Sequence, residues 1–165
     1  MKLYIKQKVF SWKDKFYVKD EYGQDKYYVE GEFLSFGRKL HVYDMAGREM
    51  AFISQKVMSF LPEYHVSQNG CEVAVVKQKF SFLRPQYEIA GLGWQVEGSF
   101  WQHDYDIYKD GGRIVSISKE WMTWGDSYEL DIADPADELV ALAVVIAIDC
   151  VTETASAAAS SASNH

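Results

Sequence analysis

Residues 139–148 read LVALAVVIAI, ten residues without a polar side chain, set between Glu138 and Asp149. Whether this run crosses a bilayer or fills a protein core decides the fold. As a helix it covers nearly three turns and is apolar in every direction around its axis, the pattern of a helix surrounded by protein or by lipid. Crossing a bilayer takes about 20 apolar residues, and this run is half as long with an acid at each end. Just upstream, Asp134 is a good N-cap, Pro135 suits the first helical position, and Asp137 and Glu138 complement the positive end of the helix dipole. A buried helix is therefore expected over about 135–151, and the preceding residues must supply what buries it.

Those residues are repetitive. IKQKVFSWKDKF from Ile5 returns as VEGEFLSFGRKL from Val29, ISQKVMSFLPEY from Ile53, VKQKFSFLRPQY from Val76, VEGSFWQHDY from Val96 and ISKEWMTWGDSY from Ile117, at offsets of 24, 24, 23, 20 and 21 residues. Positions 1 and 5 of each copy are apolar (Ile5/Val9, Val29/Phe33, Ile53/Val57, Val76/Phe80, Val96/Phe100, Ile117/Trp121), while positions 2 and 4 are mostly Lys, Glu or Ser. That alternation predicts a strand with one buried face. In most copies the apolar residues then shift to positions 6 and 8 (Phe10/Trp12, Leu34/Phe36, Met58/Phe60, Met122/Trp124), which places a bulge or turn near position 6. A second strand follows, marked by Phe16/Val18, Leu40/Val42, Tyr64/Val66, Tyr87/Ile89, Tyr105/Ile107 and Tyr128/Leu130.

Glycine-bearing stretches (DEYG, DMAG, SQNG, AGLG, KDGG) separate each second strand from the next copy, and Asp or Asn beside Gly suits tight hairpins. Six two-stranded units give a mainly β chain of twelve antiparallel strands in an up-and-down meander, and closure removes its two exposed edges. Twelve strands about 4.8 Å apart and tilted about 40° enclose a backbone radius of about 12 Å. A helix of about 5–6 Å radius leaves roughly the depth of one layer of inward side chains. The expected architecture is a closed twelve-stranded barrel over residues 1–151 with the helix on its axis, followed by an Ala/Ser-rich mobile tail at 152–165.

With YIKQKVFSWKDKFYVKDEYGQ near its start and VEGSFWQHDYDI later, the chain resembles the bacterial branch of the LURP-one-related family, with a tubby C-terminal-like fold, over about residues 1–151. Phospholipid scramblases and tubby proteins share that fold more distantly, so the resemblance implies contact with phospholipid headgroups. It carries no catalytic residue over to this chain.

Composition sets further bounds. The chain has 165 residues, 48% hydrophobic and 25% charged, which fits one globular domain. Residues 1–119 hold all 17 Lys and Arg against 15 acids, whereas residues 120–165 hold nine acids and no Lys or Arg, giving the net −7. A nucleic-acid binder is normally basic, so nucleic acid is not an expected partner. The N-terminus lacks an uninterrupted apolar segment and a small-residue cleavage site, so no signal peptide is expected. Cys71 and Cys150 are too few and too far apart for a disulfide framework and read as buried reduced thiols, which favours the cytoplasm.

The polar feature of most interest is the lysine set at positions 2 and 4: Lys6, Lys8, Lys56, Lys77 and Lys79. If the third and fourth units are neighbours, Lys56, Lys77 and Lys79 share an outer face with Arg84 in the next connection, a candidate phosphate-binding patch. The plainer reading is a solvated ladder against Glu30, Glu32, Glu97 and Glu120. Position 3 (Gln7, Gly31, Gln55, Gln78, Gly98, Lys119) falls on the expected inward face, where small residues suit close approach of helix and wall. His65 and Cys71 flank one turn, but nothing supplies the orienting group or oxyanion site of a catalytic pair. His103 and Asp104 are sequence neighbours pointing to opposite faces. No phosphate-cradling glycine loop, zinc-protease motif or nucleophile elbow occurs, so no catalytic residue, metal or cofactor is expected. The expected role is a non-enzymatic module that binds anionic phospholipid headgroups or sits peripherally on a membrane. The alternative is a cytosolic protein-interaction or stress-response scaffold.

Overall fold

The computed structural model describes residues 1–6, 15–122 and 125–164, with the side chains of 121, 122, 125 and 126 excepted. Of the positions read above, Gln7, Lys8, Val9, Phe10, Trp12 and Trp124 lie outside the described residues, as do the side chains of Trp121 and Met122.

The strands are β1 Lys2–Lys6, β2 Phe16–Asp20, β3 Asp25–Gly31, β4 Lys39–Asp44, β5 Glu49–Gln55, β6 Glu63–Gln68, β7 Cys71–Lys79, β8 Gln86–Ala90, β9 Trp94–Ser99, β10 Asp104–Lys109, β11 Gly112–Met122 and β12 Gly125–Ile132. They form a closed barrel in which each strand pairs with its neighbours in sequence, and β1 pairs antiparallel with β12 to complete the ring. A 3₁₀ turn at Pro135–Asp137, capped by the Asp134 carboxylate accepting from the Ala136 amide at 2.9 Å, leads into α1, Glu138–Ser163. The closed twelve-stranded barrel around a C-terminal helix is thus the fold.

All six second-strand pairs point inward; Tyr64, Val66, Tyr128 and Leu130 have no solvent exposure. The first strands keep the expected inward parity but lie two residues earlier in the repeat. Their inward pairs are Leu3/Ile5, Tyr27/Val29, Ala51/Ile53, Ala74/Val76 and Val115/Ile117, so position 1 closes the buried alternation instead of opening it. Position 5 lies past the strand end in β3, β5 and β7, and there the expectation of an inward side chain fails: Phe33, Val57 and Phe80 are exposed. Phe100, in a short 3₁₀ turn, is the buried exception among the described copies.

Position 3 also departs from expectation. A Cβ on Gly98 would stand 2.5 Å from the Tyr105 Cα, with φ of 134°, so this glycine serves the approach of β10 rather than of the helix. Gln55 at the equivalent position accepts a hydrogen bond from the Arg38 amide at 3.1 Å. Of the two cysteines, Cys150 is buried but Cys71, at the start of β7, is exposed.

Helix α1 enters the lumen at the glycine-turn end, and Ala141–Ile148 are wholly buried inside the barrel. Its one buried carboxylate, Asp149, accepts from the Tyr128 hydroxyl and faces His103 Nε2 at 3.3 Å. The helix does not end near 151 but continues to Ser163. Alanine is the best helix former, and the serine and threonine hydroxyls bond back to carbonyls one turn earlier (Thr152 to Ile148 at 2.9 Å, Thr154 to Cys150 at 2.8 Å, Ser160 to Ser156 at 2.9 Å), so a composition too weak to build a core still propagates a helix nucleated within one. The mouth also grips the helix as it leaves. Tyr64 Oη and Thr154 Oγ1 are 2.9 Å apart, Tyr87 Oη and Thr152 Oγ1 are 3.1 Å apart, and Arg38 meets Glu153 at 3.1 Å.

Candidate functional site

An up-and-down barrel sends alternate connections to opposite ends. One end carries the glycine turns; the other carries the β3–β4, β5–β6, β7–β8 and β9–β10 connections and the emerging end of α1. Large exposed apolar side chains concentrate at this second end. Of thirteen among the described residues, ten sit there: Phe33, Leu34 and Phe36 in the first of these loops, Val57, Met58 and Phe60 in the second, Phe80, Phe82 and Leu83 in the third, and Trp101 in the fourth. Leu34, Met58, Phe60, Phe82 and Leu83 are each more than nine-tenths exposed. A soluble monomer rarely leaves so much apolar surface in one place, and such patches mark contact surfaces.

The loops that present these side chains are ordered by their backbones. The Gln55 amide donates to the Arg38 carbonyl at 2.7 Å and the Gln78 amide to the Pro62 carbonyl at 3.0 Å, linking neighbouring connections around the rim. Gly37 (φ 78°) lies so close to the next loop that a Cβ would stand 2.5 Å from Val57 Cγ2. The apolar tips are therefore held outward by hydrogen-bonded bases.

Lys77 and Lys79 lie on the wall in β7 and Lys56 just past the end of β5, so they are not on adjacent strands, because β6 separates β5 from β7. Glu63 stands between them, 3.3 Å from Lys56, and Lys77 is its partner in the β6–β7 register. Lys77 and Lys79 share Glu88 at 3.7 and 3.6 Å. The carboxylates paired with these three are the second-strand Glu63 and Glu88 rather than Glu30, Glu32, Glu97 or Glu120. Arg84 is exposed in the β7–β8 loop beside Phe82 and Leu83 and makes no ion pair among the described residues. Four cations against two carboxylates leave this face net positive.

The two ends differ in charge. The described rim connections (32–39, 56–63, 79–86, 99–104) hold five Lys and Arg against three acids, +2; the turn end (19–26, 44–49, 68–72, 90–94, 109–113, 131–138) holds five against eleven, −6. Where the helix leaves the rim, burial holds the Arg38 guanidinium below its ordinary value and raises the Glu153 carboxyl, each partly offset by the other's charge.

His65 does not approach Cys71. Its ring lies between Glu72 at 2.6 Å and Glu63 at 2.9 Å, and His41, one repeat earlier, lies between Glu49 at 2.6 Å and Glu32 at 2.8 Å. Among the described residues no three His, Cys, Asp or Glu side chains are grouped to hold a metal ion. His103 points into the core and Asp104 to solvent, as their adjacency requires.

A sequence model of the LURP-one-related family matches residues 1–149. The chain belongs to the LURP-one-related family. A bacterial relative, the protein YxjI of Bacillus subtilis (strain 168), is 40% identical over 152 residues, covering 92% of this chain and 93% of its own. A crystallographically solved protein from Arabidopsis thaliana superposes with a TM-score of 0.62 at 14% identity, over 90% of each chain; at that identity the likeness speaks to the fold. In this LURP-one-related chain the apolar rim was the part that sequence reading missed. Its residues, at positions 5 to 8 of the repeat, read in the sequence as wall and core. The signal that separates the two is the shortness of the preceding strand, which β3 and β5 end at position 3.

Proposed function

We propose that this LURP-one-related barrel is a non-enzymatic, peripheral membrane module of the cytoplasm, seated rim-first on an anionic phospholipid surface. One observation carries the reading: ten of the thirteen large exposed apolar side chains among the described residues project from loops at one barrel end. Loop tips separated by polar bases suit the boundary between headgroups and acyl chains, which accepts apolar side chains to a depth of about 5–10 Å. Arg84, Lys79 and Lys56 lie at or just behind the tips, at headgroup depth, where each cation near an anionic surface contributes about 1 kcal/mol. The acidic turn end then faces away from the surface, so charge and apolarity favour the same orientation.

Flotation with vesicles of phosphatidylcholine, with and without phosphatidylserine, tests this. The chain should float with the mixed vesicles at low salt, less so at high salt as the cations are screened, and with some residual binding from the apolar tips. Failure to float with phosphatidylserine vesicles at low salt would sink the proposal, and concentration-dependent self-association lost with the rim side chains would turn the rim into a protein-docking surface instead.

A further inference from the structure

A second site lies on the outer wall, where β12, β1 and β2 meet. Side chains from all three strands and from Lys15 enclose a surface cavity of about 240 Å³. That is small beside the roughly 300–1,000 Å³ of drug-sized ligand pockets, so a ligand here is itself small.

Two polar groups of this cavity have no partner among the described residues. Ser127 lies on its floor, only 2% exposed, and its hydroxyl makes no hydrogen bond. A buried hydroxyl is ordinarily satisfied, so this one leaves a hydrogen bond open to a water or to a ligand in the cavity. Lys6 lies directly opposite Ser127 in the β1–β12 register, is exposed, and makes no ion pair among the described residues. The two groups stand on one rung and both can donate. The next rung places Tyr4 between Glu129 and Lys19.

The remaining lining adds cations held in reserve and flat apolar walls. Lys19 is held by Asp25 at 2.6 Å, and Lys15 by Glu30 at 3.4 Å with its ammonium 3.6 Å from the Tyr28 ring centroid. Tyr17 and the largely buried Tyr4 present aromatic surface to the same space. Glu120 flanks Ser127 on its other side but does not line the cavity; among the lining residues each unmatched group can donate and the one acid, Asp25, is already paired, so the complement is an anion. A cluster of ammonium groups around a hydroxyl suits the several acceptor oxygens of a phosphate, and the aromatic walls suit a short organic substituent.

We propose that this cavity binds a phosphate monoester through Lys6 and Ser127, with Lys15 and Lys19 at its edge. The site stands apart from the rim and does not depend on the rim meeting a membrane. The phosphate belongs either to a soluble metabolite or to a lipid headgroup.

Calorimetric titration of the full chain with inorganic phosphate and with glycerol 3-phosphate tests the site, with glycerol as the uncharged control. Both phosphates should bind and glycerol should not. Lys6→Ala and Ser127→Ala should each weaken glycerol 3-phosphate by about tenfold or more, as expected when a hydrogen bond to a charged group is lost. Ser127→Thr, which keeps the hydroxyl, should retain binding. Without ligand, Ser127→Ala should melt no lower than wild type, because it removes an unsatisfied buried group; that separates a ligand-binding role from a structural one. Vesicles containing phosphatidic acid, added to a rim variant with Phe36, Phe60 and Phe82 changed to Glu, then assign the source. Displacement of glycerol 3-phosphate supports a lipid headgroup; its absence supports a soluble ligand. No binding of either phosphate at millimolar concentration, or equal binding by wild type, Lys6→Ala and Ser127→Ala, overturns the proposal.

Discussion

The two ends of this barrel come from the same repeated unit and carry opposite chemistry, and the contrast separates what the fold needs from what it does not. At the turn end, polar residues build the turns. Asp20 Oδ1 accepts from the amides of Tyr22 and Gln24 at 2.9 Å each, and Asp44 Oδ1 accepts from those of Ala46 and Arg48 at 3.0 and 2.9 Å. These carboxylates are used by the local backbone. At the rim end the loops are longer, and Leu34, Met58 and Phe82 touch solvent over more than nine-tenths of their surface. No turn requires them and no core receives them. Their cost in water is not offset within the described structure, so an external partner is the economical explanation.

Breaking what both ends share should have the largest effect. A chain ended at Ala133 lacks α1, whose residues 141–148 are fully buried, and should not form the barrel: far-UV circular dichroism should lose the native strand signal and the hydrodynamic radius should rise. A folded, soluble product would show that the helix is an appendage.

The contrast itself is tested by charging each end in turn. Phe36→Glu, Phe60→Glu and Phe82→Glu together should abolish flotation with phosphatidylserine vesicles. If each phenyl contributes about 2 kcal/mol on leaving water, the loss is on the order of ten-thousandfold. Tyr22→Glu with Met45→Glu, at the turn end, should leave flotation unchanged. Both sets are solvent-exposed, so melting temperatures should move little.

A smaller effect is expected where α1 leaves the core. Asp149→Ala removes the acceptor of the Tyr128 hydroxyl and the partner of His103, whose ring stacks on Tyr128 at 4.2 Å. It should cost about 2–4 kcal/mol by urea denaturation, since buried polar groups lose their partner. A loss below about 0.5 kcal/mol would mean that water satisfies both groups.

The smallest effect is a dependence on pH from the outer wall. Burial lowers the pKa of His41 and His65, but hydrogen bonds to Glu32 and Glu49, and to Glu72 and Glu63, with their charges, outweigh it, so both are raised above 6.5. A raised folded-state pKa gives stability that is fully present below the unfolded value and lost as pH rises through the folded one. The denaturation midpoint should therefore fall between about pH 6 and pH 8, by roughly 1 kcal/mol or less per half-exposed pair. His41→Gln with His65→Gln should flatten that dependence, and a midpoint that rises over the same interval would contradict the assignment.

Much of the fold was legible in the sequence because its strongest signals are independent of phase. The all-round apolarity of LVALAVVIAI and the Tyr64/Val66-type pairs each admit one packing. The first strands end earlier than the repeat suggests for a physical reason: alternation at positions 1 and 5 continues past the strand end, and an exposed Phe80 reads like a buried one until it is known that β7 stops at Lys79. The lysines are visible in the sequence but their ion pairs are not, since Glu63 and Glu88 reach Lys56, Lys77 and Lys79 only across strands. Ser127 gave no sequence signal, because an unsatisfied hydroxyl is a property of its surroundings.

Spin labels at the two ends offer the most direct test of which end meets the membrane. In a Cys71→Ser background, nitroxides on Phe60→Cys at the rim and on Met45→Cys at the turn end are compared with and without phosphatidylserine vesicles. The rim label should gain access to oxygen and be shielded from a water-soluble nickel chelate when vesicles are added, while the turn-end label stays unchanged. A rim label indifferent to vesicles, or a turn-end label that responds in its place, would contradict the account.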